Sequence, residues 1–270
     1  MTTPLLDSLA NLRTYDLGRR LEFGTPIAPT HIPFRLALLR RPRDVVRPDG
    51  SSSSNELLSL SGHTGTHIDA LCHFERDGKL HGGIDAVEAS RGGKGFRQLG
   101  IDTVDPIVCR GVLLDVPRAL GEELGPGRGI TADELEEIAR RHGVEVRGGD
   151  AVLVRTGWAA ARYGDPSFVG FEGGAPGPSL DAARWLTGRG VRLTGSDTIA
   201  YEAMEAGQVP LPVHVHLLVE SGVHILEVLD LEELASDGVH EFGFVCSPLK
   251  MVGATASPVR PLALVERAPA

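Results

Sequence analysis

His63-Thr-Gly-Thr-His-Ile-Asp-Ala-Leu-Cys-His73-Phe74 holds four side chains able to bind a metal or move a proton: His63, His67, Asp69 and His73. All four occupy odd positions. In an extended chain odd and even side chains point to opposite faces, so these four share one face with Gly65 and Leu71. Thr64, Thr66, Ile68, Ala70 and Cys72 make up the other face, which is suited to packing inward. The β-branched Thr64, Thr66 and Ile68 favour that extended reading. A helix would align His63 with His67 but rotate Asp69 away. Gly65 has no side chain, so the backbone can approach an ion or substrate closely there.

Two imidazoles and a carboxylate on one face suit zinc, and the carboxylate also admits manganese. Three protein ligands leave coordination positions open, as catalytic metal sites require. The plainer alternative is a histidine-rich surface loop that binds no ion. Cys72 sits beside the cluster, but its parity turns it away, so it reads as a buried structural cysteine.

The surrounding composition narrows the function further. The chain has 270 residues, 41% of them hydrophobic, which is enough for a substantial core. A formal net charge of −9 argues against nucleic acid as a partner. No run of about 18 apolar residues is present to span a membrane. The first residues lack the basic and apolar regions of a secretory signal. Three scattered cysteines, Cys72, Cys109 and Cys246, do not form a disulfide framework, so a cytoplasmic location is expected.

Away from the cluster, a short helical entry should precede an extended segment from Thr14 to Gly18. The proline-rich stretch from Gly24 to Phe34 is a loop, either on the surface or placing His31 and Phe34 near a site. Residues 35–54, with several arginines, Pro-Asp-Gly and four serines, read as an exposed, mobile loop. Those arginines could attract an anion or simply form a solvated face. His81 lies in a turn-rich loop and reads as a surface histidine. From residue 100 onward the pattern is α/β. Strands are expected at 107–116, 150–156 and 191–198, and helices at 131–142 and 179–188. The first of these helices opens on the capping box Thr131-Ala-Asp-Glu134. Asp197, at a strand end, suits a functional or a capping role. No linker divides the chain, so residues 1–270 read as a single mixed α/β domain.

A second titratable group follows at the C-terminal side. Pro210-Leu-Pro-Val-His214-Val-His216-Leu-Leu opens a short helix with His214, Leu217 and Leu218 on one face. Val223-His-Ile-Leu-Glu227-Val-Leu229 is a strand that places a carboxylate in an apolar run, where it needs a cation, a hydrogen-bond network or an open face.

His63-x-Gly65-Thr66-His67-x-Asp69-x-x-x-His73-Phe74 resembles the signature of the cyclase family of metal-dependent hydrolases, which includes kynurenine formamidases and isatin hydrolases. That signature has proline where this chain has Leu71, a departure that falls between the candidate ligands and bears on the local turn. The likeness extends from about residue 15 to residue 264 and takes in Gly253-Ala-Thr-Ala-Ser-Pro258. It implies a swivelling β/β/α fold and hydrolysis of an amide C–N bond in a small aryl formamide or cyclic amide. It also implies that His63, His67 and Asp69 hold a divalent ion. His214 and Glu227 would complete the site or hold a second ion bridged by Asp69, with His216 competing for the place of His214. His73 would act as the proton-transferring catalytic residue, although its spacing also permits it to be a ligand. A homo-oligomer is implied as well. The alternative from another class is a non-catalytic metal-binding scaffold, which would not need the proton shuttle that His73 provides.

Overall fold

The protein is described by a computed structural model covering residues 9–207 and 210–267. Its strands, in chain order, are β1 (Leu12–Asp16), β2 (Arg35–Arg40), β3 (Asn55–Ser59), β4 (His67–Asp69), β5 (Ile107–Asp115), β6 (Gly129–Ile130), β7 (Ala151–Arg155), β8 (Gly177–Pro178), β9 (Leu193–Ser196), β10 (His224–Glu227), β11 (Glu241–Cys246), β12 (Ala256–Pro258) and β13 (Leu262–Glu266). Nine of them form one mixed sheet in the order β1-β13-β11-β5-β7-β9-β10-β4-β12. The central run β5-β7-β9-β10 is parallel, and antiparallel strands extend it on both sides.

Strand alternation builds two cores on opposite faces of this sheet. Val112, Leu114, Val152, Val154 and Ile225 pack with Leu135, Ile138, Leu186 and Leu217 of the covering helices. Leu113, Leu153, Leu193, Leu226 and Ile68 point the other way, into a core shared with Phe244 and Leu234. Because β5 and β7 are covered on both faces, they read as continuous apolar runs, as buried parallel strands should.

The expected α/β elements are present. The helix Ala132–His142 opens with both halves of its capping box at Thr131 and Glu134 and stops at Gly143, whose φ is +67°. Asp197 is a structural group: buried, it accepts hydrogen bonds from the backbone N–H and hydroxyl of Thr156, at 2.7 and 2.8 Å. The expected short helical entry falls largely on residues 1–8, outside the described residues.

Two expectations need correction. Residues 35–54 are not all loop, because β2 and β3 pair as an antiparallel hairpin separate from the main sheet. The serine and Pro-Asp-Gly signals belong only to its exposed tip. Leu38, Leu39, Leu57 and Leu58 remain exposed on the hairpin. The stretch from His63 to His73 is also not extended throughout. Only His67–Asp69 is strand. Before it, Thr64 N–H donates to the Ser61 carbonyl and Gly65 takes φ +64°; after it, His73 N–H donates back to Ala70. A left-handed residue cannot continue a strand, so Gly65 makes a turn rather than a close approach to a ligand.

Candidate metal centre

Two short strands position the cluster. β10 and β4 run antiparallel with Glu227 directly opposite His67 and Leu226 opposite Ile68. Cross-strand partners share a face, so the carboxylate and imidazole meet while Leu226 and Ile68 enter the core behind them. Asp69 lies two residues from His67 and therefore on the same face. The parity reading survives for the packed side, since Thr64, Thr66, Ile68, Ala70 and Cys72 are all buried. Burial pushes the Cys72 thiol up to about 12, as suits a structural cysteine rather than a nucleophile.

The side chains converge closely. His67 Nε2 lies 3.1 Å from Glu227 Oε2 and 3.6 Å from Asp69 Oδ1. His63 Nδ1 is 3.0 Å from Asp69 Oδ1. His214 Nε2 is 3.2 Å from Glu227 Oε1 and 3.8 Å from Asp69 Oδ2. His73 packs against His63 with ring centroids 4.1 Å apart and the rings tilted by 39°. Donor atoms of His67, Asp69 and Glu227 lie within 4.8 Å of one another, as do those of His63, Asp69 and His73. His73 thus stands where either a ligand or a proton-transfer group could act. His216 is elsewhere, paired with Glu220 at 2.9 Å and Thr187 at 3.0 Å.

Hydrogen bonds around the cluster fix which histidine nitrogens face the carboxylates. His67 Nδ1 donates to the Gly65 carbonyl at 2.7 Å, which leaves Nε2 facing the carboxylates. His63 Nε2 is held by Thr255 at 3.0 Å, and its Nδ1 faces Asp69. His214 Nδ1 meets Glu202 Oε1 at 2.7 Å. Glu202 also accepts the backbone N–H groups of Val213 and His214, so its carboxylate caps the turn that carries His214. After Pro212–His214 the chain winds as a π-helix through Val215–Ser221, a form often found at functional sites.

Two non-glycine residues beside the cluster hold positive φ: Tyr201 at +56°, preceding Glu202, and Val228 at +57°, following Glu227. For a β-branched valine that conformation is strained. Thr66 Oγ1 clamps it by donating to the Val228 carbonyl at 2.6 Å. Sequence reasoning missed Glu202, Thr66 and Thr255. Only Glu202 carried a signal, as an acidic residue in an apolar neighbourhood just ahead of the His214 turn.

The electrostatics are those of a cation site. Burial acts to lower the His67 pKa, but Glu227 outweighs it and holds the group up to about 8. Glu202 and Glu227 likewise overcome burial at His214 and hold it up to about 10. Asp69 and Glu227 are depressed despite their burial, because imidazoles surround them. His73 goes the opposite way, pushed down to about 4 mainly by burial, so it is neutral at pH 7. His67 Nε2, both Asp69 oxygens and Glu227 Oε1 are buried without a hydrogen bond of proper geometry. Buried polar atoms are ordinarily satisfied, and four such atoms aimed at one another fit a divalent ion.

The cluster forms the floor of a cavity of about 190 Å³. The cavity lies beyond the carboxyl ends of β9 and β10, where open α/β sheets commonly place ligands. His31 reaches it from the proline-rich loop and stacks on His63 at 5.0 Å. Phe34 is buried against Phe23 and does not line it. His81 is outside too, bonded to the Val219 carbonyl at 2.9 Å.

A mixed α/β sheet with a buried His/Asp/Glu cluster under a cleft defines a candidate metalloenzyme. The family described as "Putative cyclase" matches residues 15–203, and the chain belongs to that family. It is 30% identical over 250 residues to a kynurenine formamidase of Geobacillus thermodenitrificans, covering 91% of this chain and 94% of that protein. It is 27% identical to the isatin hydrolase of Roseibium aggregatum, covering 82% of this chain and 78% of that one. It spans 65% of the length of Cyclase-like protein 2 of Oryza sativa subsp. japonica. A crystal structure of a novel cyclase superposes with TM-score 0.85 at 28% identity, covering 97% of this chain and 93% of that chain. Isatin hydrolase A from Ralstonia solanacearum superposes with TM-score 0.75 at 30% identity, covering 98% and 99%.

Proposed function

We propose that this chain is a metal-dependent hydrolase of a non-peptide amide C–N bond, acting on a small aryl formamide or cyclic amide. The observation that carries this reading is the set of buried, unsatisfied ligand-capable atoms on His67, Asp69 and Glu227, of which His67 and Glu227 line the cleft. The kinship with enzymes named kynurenine formamidase and isatin hydrolase supports the reaction class.

His63, His67 and Asp69 would hold a divalent ion, zinc or manganese. His214 and Glu227 would complete the site or hold a second ion, with Asp69 shared between the two. Such an ion supplies Lewis acidity, making hydroxide available near pH 7 and polarising the amide carbonyl.

The protein's own groups manage the rest. His73, neutral at pH 7, accepts the proton of the attacking water and returns it to the leaving nitrogen as the C–N bond breaks. The products are a carboxylic acid and an amine, joined in one molecule when the amide is cyclic. His31, Phe74 and Phe171 line the cavity and help exclude water from the reacting bond. A second reading makes His73 a ligand, favoured by its convergence with His63 and Asp69.

The exposed leucines of the β2–β3 hairpin support assembly as a homo-oligomer, since large exposed apolar patches mark interaction sites. No helix among the described residues is long and apolar enough to cross a membrane. Three free cysteines support a reducing, cytoplasmic setting, and the acidic net charge argues against nucleic acid as a partner. The test is metal analysis of the purified protein with assay of an aryl formamide and isatin. Protein that neither retains nor responds to zinc or manganese would refute the metal reading.

A further inference from the structure

Resting on that hydrolase reading, we infer that the substrate is a compact amide with no charged amino-acid tail: the cavity is built for an uncharged ring. The observation is the lining. Apart from the imidazoles of the cluster and His31, the described residues around the cavity include no cationic side chain. Among the described residues, no asparagine or glutamine lines it either. The walls are Ala28, Phe74, Phe171, Ile199, Ala200 and Leu211, with the hydroxyl of Thr30 as the other polar group.

A zwitterionic tail needs a partner for each charge. Carboxylates are recognised by arginine forks, and ammonium groups by free carboxylates. Among the described residues Glu227 is the one carboxylate in the lining, and both of its oxygens face imidazoles, at 3.1 and 3.2 Å. Arginines on adjoining segments are engaged elsewhere. Arg19 lies over the Tyr163 ring, donates to the Leu229 carbonyl and faces Asp230 at 3.6 Å; its Nη2 is buried without a partner, but the residue does not line the cavity. Arg35 donates to the Phe34 carbonyl, and Arg162 covers Trp158. Within the described lining an α-carboxylate would meet only imidazoles, those of the cluster and His31, and at the cluster it would compete with the amide carbonyl for the reacting position.

Size and shape agree with this. At about 190 Å³ the cavity is smaller than the ~300–1,000 Å³ usual for drug-sized ligands. Phe74 packs at 5.0 Å from His73 and 4.8 Å from His214, giving an aromatic wall beside the reacting centre. A planar ring can stack there, with its amide directed at the cluster.

The experiment compares two substrates on the metal-loaded protein. N-formylkynurenine carries an aryl formamide and a zwitterionic tail. 2′-Formamidobutyrophenone keeps the ring, ketone and formamide but has an uncharged tail. The expected result is a kcat/KM at least about 100-fold higher for the uncharged compound, because the charged tail enters without partners. A ratio below tenfold, with both compounds hydrolysed, would overturn the inference and leave the proposed chemistry standing. If neither is hydrolysed, assay of isatin on the same protein decides the hydrolase reading, and calorimetric binding of the two compounds decides the inference. Tighter binding of the uncharged amide supports it, and equal or weaker binding overturns it.

Discussion

Two groups of histidines in this protein face opposite ways electrostatically. At the candidate metal centre His67 and His214 are buried among Asp69, Glu202 and Glu227, and their pKa values stand at about 8 and about 10. On the far side of the fold His142 and His240 stack with ring centroids 3.7 Å apart, 17° from parallel. No carboxylate among the described residues pairs with either of those rings. Burial, and then the neighbouring ring, pushes His142 down to about 4, and burial lowers His240 as well. Burial opposes charge on an imidazole in both places, so the carboxylates make the difference. Histidines poised for a cation come with buried carboxylates whose lone pairs have no other use, whereas the far pair stacks as neutral aromatics.

The sharpest way to break this comparison is to remove a ligand. His67→Ala should abolish binding of at least one ion and lower turnover by on the order of 10³-fold, as expected when several kcal/mol of metal assistance are lost. Retention of full metal by the variant would place the ion elsewhere. Glu227→Gln should empty one position while another stays filled, if two ions bind. Metal stoichiometry before and after dialysis decides between one ion and two.

His73→Ala separates ligand from shuttle. A shuttle should leave metal content near wild type while turnover falls by about 10²–10⁴-fold. An emptied site, partly restored by added metal, would make His73 a ligand instead. A lower melting temperature with unchanged turnover per folded molecule would make it a packing residue.

Glu202→Gln probes the positioning carboxylate. It keeps an acceptor for His214 Nδ1 but loses the charge, so metal affinity should weaken by about 10–100-fold. Titration of the metal-free protein with zinc measures this without any assay of activity. Unchanged affinity would reduce Glu202 to a helix cap.

The smallest effect belongs to the far pair. Its folded pKa values lie below the unfolded value of ~6.5, so the unfolded chain binds more protons in acid. Its contribution to stability is therefore complete above pH ~6.5 and lost as pH falls from there towards 4. Both rings are only partly buried, which holds the loss to on the order of 1 kcal/mol once solvent screening is allowed for. His142→Phe keeps the stack without the titration and should flatten that part of the stability curve, as read by urea unfolding at pH 7 and pH 4.5. An identical slope in the variant would assign the acid sensitivity to other groups.

Much of the candidate site was legible because three of its proposed ligands sit close together in the chain. His63, His67 and Asp69 are joined by a turn and a three-residue strand, so spacing alone placed them on one side. The shape of the backbone was less legible: Gly65 marked a turn where alternation suggested a strand. The β2–β3 hairpin was hidden because its leucines stay exposed and its arginines and serines resemble loop composition. Glu202 was missed because its role depends on a residue 12 positions away meeting it in space.

The sequence by itself determined the periodic elements, the capping box at Thr131, the one-sided grouping of histidines and aspartate, and through them the family. These are local properties, written in the spacing of side chains along a strand or helix. Only the tertiary structure decided that Glu227 faces His67, that His214 rather than His216 joins them, and that the described cavity walls carry no lysine or arginine. Those facts depend on the register between β4 and β10, the winding of the turn after Pro212, and which loops close over the sheet. Spacing constrains neighbours along the chain, while register and packing select neighbours across it.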